Sequence, residues 1–148
     1  MIFLMLLPPN PNQETETGET RVLFLDDMEW RHSEFRRLTE GLGIRIDRAH
    51  SADEAITLLS SRHYDQVFLD HDLSEEDVMV APGSRSHVPT GMDVVDHILS
   101  MASPPGEAIV HSCNGPAAEE MRARLERCGI RSVRRVPFPQ LQRLLFRP

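Results

Sequence analysis

The sequence predicts a doubly wound α/β domain, a parallel sheet of five short strands with helices packed on both faces. Three observations predict it. Five strand-like runs recur between Arg21 and Val136, separated by segments with helical spacing of apolar residues. The first, third and fourth runs are continuously apolar, as strands buried on both faces must be. The intervening segments are long enough for crossover helices, whose right-handed connections make the strands parallel.

Val22-Leu23-Phe24-Leu25 is the first strand. A helix follows, with Phe35, Leu38 and Leu42 at i, i+3 and i+7, closing near Gly41 and Gly43. Ile44 to Ala49 reads as the second strand. Ser51-Ala52-Asp53-Glu54 has the form of a capping box and opens a helix that buries Ala55, Ile56, Leu58 and Leu59. Val67-Phe68-Leu69 is the third strand. Ser74 to Pro89 is a long irregular loop with little periodicity, and loops of that length inside a domain are usually functional or mobile. Thr90 is placed to cap a helix with apolar face Met92, Val95, Ile98 and Leu99. Ala108-Ile109-Val110 is the fourth strand. Ala118, Met121, Leu125 and Cys128 mark a helix stopped by Gly129, and Ile130 to Val136 is the fifth strand, with a short basic amphipathic end after Pro139. Trp30 and Cys113 are expected in the core.

A chain of 148 residues suits one domain. Folding at that length buries roughly two-thirds of the unfolded surface, enough for a core without staples. The expected division is 1–20, an apolar start (Met1 to Leu7) with a Pro/Glu/Thr-rich tail or linker, and 21–148, a single α/β domain. Apolar residues at 40% and charged residues at 26% are ordinary globular usage and argue against wholesale disorder. Two cysteines make no disulfide framework and suit a reducing compartment, so a cytoplasmic protein is expected. No apolar run reaches the roughly 18 residues of a membrane helix, and the apolar start lacks the basic flank and cleavage site of a signal peptide. All sixteen basic residues are arginine, eight of them after Glu120, and the net charge is −7. A net-acidic chain is a poor general binder of duplex nucleic acid, although its basic end can attract a small anion.

Ligands of open α/β sheets bind beyond the carboxyl ends of the strands, where the strand order reverses. There the first strand ends in Asp26-Asp27, the third in Asp70-His71-Asp72, and the fourth in His111-Ser112, followed by Asn114. In a 2-1-3-4-5 order the first and third strands are neighbours, so carboxylates converge. Converging carboxylates with no lysine to pair them point to a hard divalent ion at Asp26, Asp27, Asp70 and Asp72, Mg²⁺ or Mn²⁺. A histidine ligand would shift the preference toward Mn²⁺ or Zn²⁺. Both Asp26 and Asp27 reach one site only if the strand breaks there, and Asp27 also suits a helix N-cap. His71 and His111 are the residues for acid–base work near neutral pH. Arg31, with His32 beside it, is placed to clamp a phosphate. Thr90, Ser112 and Asn114 can hold anionic oxygens, and Thr90 and Asn114 equally suit helix caps. Ser84, Arg85 and His87 are candidates because the long loop can overhang the site.

LFLDD, SADEAITLL (Ser51 to Leu59) and YDQVFLD (Tyr64 to Asp70) resemble the receiver domains of bacterial response regulators, a flavodoxin-like fold. That resemblance implies Mg²⁺ on the acid pair and phosphorylation of Asp70. The pattern departs from receivers where they carry a lysine just before Pro137, a position held here by Val136. Arg31-His32, Leu69-Asp70-His71-Asp72-Leu73, Thr90-Gly91 and His111-Ser112-Cys113-Asn114 are more similar to the receiver-derived cyclic-phosphate-processing domains. This second resemblance implies a metal-dependent phosphoesterase acting on a cyclic phosphate of a small nucleotide or an RNA end, with Asp70, His71 and His111 catalytic. Two other expectations stand beside it: an atypical receiver phosphorylated at Asp70, and a catalytically silent domain that binds a nucleotide or a protein.

Overall fold

A computed structural model describes residues 18–73 and 88–145. The apolar start, the linker and most of the long loop, with Ser84, Arg85 and His87, lie outside the described residues. Five strands form one parallel sheet in the order β2-β1-β3-β4-β5. They are β1 (Thr20–Leu25), β2 (Ile44–Ala49), β3 (Gln66–Leu69), β4 (Glu107–Val110) and β5 (Ser132–Arg135), the last shorter than the expected Ile130 to Val136. The helices are α1 (Glu29–Thr39), α2 (Ala52–Ser61), α3 (Gly91–Ser100), α4 (Gly115–Glu126) and α5 (Phe138–Leu145). No helix among the described residues is long and apolar enough to cross a membrane.

Alternation along the strands divides the core into two. Leu23, Leu25, Val67, Leu69, Ala108 and Val110 face α2, α3 and α4, against Ala55, Leu59, Val94, Val95, Ile98, Met121 and Leu125. Val22, Phe24, Phe68 and Ile109 face α1 and α5, against Phe35, Leu38, Phe138 and Leu141. Phe24 lies at the centre of the second cluster, stacked on Phe35 with ring centres 4.2 Å apart and tilted to Phe68 at 6.2 Å. Each such buried side chain contributes on the order of 2 kcal/mol.

Side chains that the periodicity places inside are found outside where an element stops or the stripe has turned away. Leu42 lies beyond the end of α1, between Gly41 and Gly43, both at positive φ, and is exposed. Leu99 is exposed because the buried stripe of α3 is Gly91, Val94, Val95 and Ile98, one row round the helix. Cys113 sits past the end of β4 and is exposed. Trp30, in the first turn of α1, is 55% exposed.

The predicted caps of α2 and α3 form. Ser51 accepts from the Glu54 amide at 3.2 Å, while the Glu54 carboxylate accepts from the His50 amide. Ser51→Ala is expected to cost about 1 kcal/mol in a denaturant titration. Thr90 and Asp93 make a reciprocal capping box on α3. Among the described glycines Gly91 makes the tightest approach, and its amide donates to the His71 carbonyl at 3.0 Å. A Cβ there would overlap the Asp70 carbonyl oxygen and come within 2.9 Å of the His71 Cα. Both obstacles are backbone, so Gly91→Ala must push α3 away from the end of β3. We expect a loss of about 1–3 kcal/mol by thermal or denaturant unfolding, the usual cost of overpacking.

Candidate active site

The two-residue repeat of the strands builds the site. In the face toward α1 and α5, Phe24 pairs across the sheet with Phe68, and Phe68 with Ile109. Two residues further along the same three strands come Asp26, Asp70 and His111. Each sits one residue beyond the last ladder pair, on the face shared with its apolar predecessor. Backbone bonds hold the extension in register: the Asp26 amide donates to the Ala49 carbonyl, Asp70 to Leu25 and His111 to Leu69. All three side chains are buried, and each offers one ligand atom within 4.8 Å of the others.

Asp26 is the best satisfied. Its Oδ1 accepts the Met28 amide at 2.8 Å, turning the chain into α1. Its Oδ2 accepts from His111 Nε2 at 3.0 Å and from Arg31 Nη1 at 3.1 Å. Burial works against its charge, but the bonds from His111 and Met28 and the Arg31 charge prevail, so the carboxyl titrates below its ordinary range. Asp70 goes the other way. Burial, then the Asp26 charge, outweigh His111, Arg31 and the His71 amide, and its carboxyl titrates above the ordinary range. Arg31 Nη1 is 3.7 Å from Asp70 Oδ2, so one guanidinium serves both carboxylates. Its own protonated form is strengthened despite burial, chiefly by Asp26. The arginine is braced by rings, its guanidinium carbon 5.4 Å from the centre of Trp30 and 5.1 Å from that of Phe138.

The two buried histidines have assignable tautomers. His32 Nε2 lies 2.7 Å from the Asp26 carbonyl oxygen, which can only accept, so Nε2 carries the hydrogen. Burial keeps this imidazole neutral to lower pH than usual. His111 Nε2 likewise donates to Asp26, and its ring stacks on Phe24 at 4.9 Å. The Nδ1 atoms of both have no hydrogen-bond partner among the described residues.

A second polar group forms the rim. His71 Nδ1 donates to Asp72 Oδ1 at 2.6 Å, which leaves Nε2 carrying the lone pair of the neutral ring. Asn114 Nδ2 donates to the same oxygen at 3.2 Å, while its Oδ1 caps α4 by accepting the Ala117 amide. The bond from His71 leads in holding the Asp72 carboxyl below its usual range. Buried Ser112 accepts the Asn114 amide through Oγ at 3.1 Å.

Of the candidate residues, the structure brings together Asp26, Asp70, His111 and Arg31, with His32 behind them. It sets His71, Asp72 and Asn114 beside one another at the edge. Half-buried Asp27 and rim-lying Asp72 are outside the cluster of potential ligand atoms. β1 does break after Leu25, but the break leaves Asp27 off that cluster, and the N-cap position of α1 is Met28. With no lysine in the chain, Arg31 is the side-chain cation that pairs the carboxylates. Sequence reasoning places Gly91 in a motif with Thr90 but misses its role, which is to let α3 close against the Asp70 carbonyl. It also missed the common face of Asp26, Asp70 and His111, legible as F-x-D, F-x-D and I-x-H at three strand ends. A groove of about 650 Å³ opens on the other flank of α1, lined by residues that include Phe35, Arg36, Ile44, Ile46 and Arg48. Of the residues placed in the site it shares only His32.

Fold and strand-end acids together define a receiver-type α/β domain. Similar solved structures include the non-phosphorylated HemR receiver domain of Leptospira biflexa, at 19% identity and TM-score 0.59 over 88% of this chain and 98% of that one. The receiver domain of a sensor histidine kinase from Pseudomonas aeruginosa, which has a magnesium ion coordinated in its active site cleft, matches at 18% identity and TM-score 0.58. That match covers 86% of this chain and 94% of that one. A CheY-like response regulator receiver domain from Methylobacillus flagellatus matches at 21% identity and TM-score 0.54, over 82% and 87% of the two chains. No curated protein matches the sequence. The chain belongs to the cyclic-phosphate processing receiver domain family, whose model matches residues 21–127.

Proposed function

We propose that the protein is a metal-dependent phosphoesterase that hydrolyses a cyclic phosphate on a small nucleotide or an RNA end. The observation that carries this reading is the buried Asp26–Asp70 pair with Arg31 across both carboxylates and the His71–Asp72 pair at the rim.

The residues fit a hard cation. Two converging carboxylates, with water and substrate completing the shell, are the usual protein share of a Mg²⁺ site. His111 is a weaker ligand: metal on Nε2 would move the ring hydrogen to Nδ1, which is buried without an acceptor, and ligating histidines need that partner. The donor set therefore favours Mg²⁺ or Mn²⁺ on Asp26 and Asp70 over Zn²⁺, with His111 orienting Asp26. When bound, the cation would polarise a phosphoryl oxygen and acidify the attacking water.

The side chains supply the rest. Arg31, beside both carboxylates, can turn its planar fork to two phosphoryl oxygens, and a cation held by Asp26 and Asp70 would free it to do so. His71 Nε2, aligned by Asp72, takes a proton from water as the new P–O bond forms. It returns that proton to the ribose oxygen as the ring P–O bond breaks, leaving a phosphomonoester and a free hydroxyl. The hydroxyl hydrogens of Ser112 and Thr90, whose oxygens accept backbone amides, can be donated to the remaining phosphoryl oxygen.

The test is ³¹P NMR of the protein with a panel of cyclic-phosphate nucleotides in Mg²⁺ or Mn²⁺. Ring opening that stops with EDTA is the expected result, and no turnover with Mg²⁺, Mn²⁺ or Zn²⁺ sinks the reading for that panel. The second reading is a receiver phosphorylated at Asp70, favoured by that residue's place at the end of β3 in a receiver fold. It requires an acyl phosphate on Asp70 from a small phosphodonor such as acetyl phosphate, read by mass. The silent binding domain remains if both tests are negative and ligand still raises the melting temperature.

A further inference from the structure

The only tryptophan of the chain, Trp30, is 55% exposed although a ring of that size is usually largely buried. It stands at the mouth of the acid cluster. Its ring meets Phe138 edge to face, with centres 5.4 Å apart and planes at 89°. On the site side the Arg31 guanidinium carbon is 5.4 Å from the ring centre, and Nη1 of the same group is 3.1 Å from Asp26 and 3.7 Å from Asp70. One guanidinium thus separates the indole from the carboxylates, a spacing comparable with the ribose between a base and its phosphate. Phe138, buried in the core, holds the indole in a fixed plane, so little freedom is lost when a ligand covers it.

We propose that Trp30 is the platform on which the substrate's nucleobase stacks, making the site select a nucleoside cyclic phosphate over a base-free cyclic phosphate. The proposal rests on the phosphoesterase reading for the phosphate end of the ligand and adds the feature that recognises the other end. Every base has a π face, so a stacking platform distinguishes base from no base and is tolerant among bases. Arg31 couples the two ends, since the guanidinium beside the indole is the one that turns to the phosphoryl group.

Because Trp30 is the sole indole, its fluorescence reports this contact directly. Wild-type protein in Mg²⁺ is titrated with adenosine 2′,3′-cyclic phosphate and, separately, with methyl riboside 2′,3′-cyclic phosphate, and turnover is followed by ³¹P NMR. Calorimetry and kinetics are repeated on Trp30→Leu and Trp30→Phe, both tolerable at an exposed position. The nucleotide should quench the indole and the riboside should not. Trp30→Leu should weaken nucleotide binding or raise its KM by roughly 10-fold or more, the size of a base–aromatic stack, and should affect the riboside far less. Trp30→Phe should keep most of the affinity. Equal affinity for the two ligands, an unaffected Leu variant, or no binding of either ligand overturns the proposal. So does quenching that follows protein concentration with a doubled mass, which would assign the ring to a second copy. Quenching without hydrolysis leaves the platform standing and defeats the phosphoesterase. Hydrolysis of both ligands with equal KM does the reverse.

Discussion

Asp70→Asn is expected to lower cyclic-phosphate turnover by about 10³-fold or more while making the folded protein more stable. The two effects have one cause. Asp70 is a buried carboxylate beside a second one, and its folded-state pKa is raised, first by burial and then by Asp26. A carboxyl whose pKa is higher folded than unfolded holds its proton more tightly in the native state. Its ionisation therefore costs stability as pH rises from the unfolded pKa through the folded one, and the cost is complete above both. Asparagine keeps the shape and the acceptor for the His71 amide, now at 2.9 Å, without the charge. In chelator, its advantage should reach roughly 0.5–2 kcal/mol at neutral pH and close toward zero at pH values below both pKa values. Under the proposed function Asp70 is a cation ligand beside the reacting phosphoryl group, and its loss should cost activity on the scale of acid–base and electrostatic catalysis. A variant that lost activity and stability together would point to Asp70 as a structural residue.

What could be read from the sequence followed the strength of its periodicities. Strand order, parallel direction and the Ser51 and Thr90 caps come from local patterns that tertiary packing reinforces. The strand-end acids were legible for the same reason, since an apolar β3 leaves Asp70 nowhere to go but the sheet's carboxyl edge. The errors have a different origin. Trp30 was placed inside because a large ring usually is, yet the first turn of α1 points it at Phe138 and solvent together. Arg31 reads in the sequence as a phosphate clamp, but its contact with both carboxylates is not legible there. Its role depends on a turn in which Asp26 folds back onto the Met28 amide and brings the first turn of α1 over the cluster. No spacing rule contains that turn. The role of Gly91 has no local signal because it is a close approach to the Asp70 backbone twenty-one residues earlier.

Arg31→Met gives the complementary result, a loss of stability that a divalent ion repairs. Methionine keeps an unbranched apolar body against Trp30 and Phe138, so the change isolates the charge. Arg31 is partly buried, with 18% of its side chain exposed, and Asp26 is fully so. Without the arginine, two buried carboxylates face each other with His111 and the Met28 and His71 amides to offset them, and one-sided removal of a buried pair costs about 3–5 kcal/mol. The pH dependence separates this from lost packing. Asp26 has a depressed folded-state pKa, so its contribution to stability is present above the unfolded pKa and is lost as pH falls through the folded one. The arginine is part of that depression, so the gap between wild type and Arg31→Met should be widest near neutral pH. It should narrow in acid, where both carboxylates are protonated in either protein. Mg²⁺ or Mn²⁺ supplies the missing positive charge to the same oxygens, and should raise the melting temperature of the variant more than that of wild type, in which the ion must first displace Arg31. Equal shifts in the two proteins would place the cation elsewhere, and no shift in either would remove the metal from the proposed chemistry.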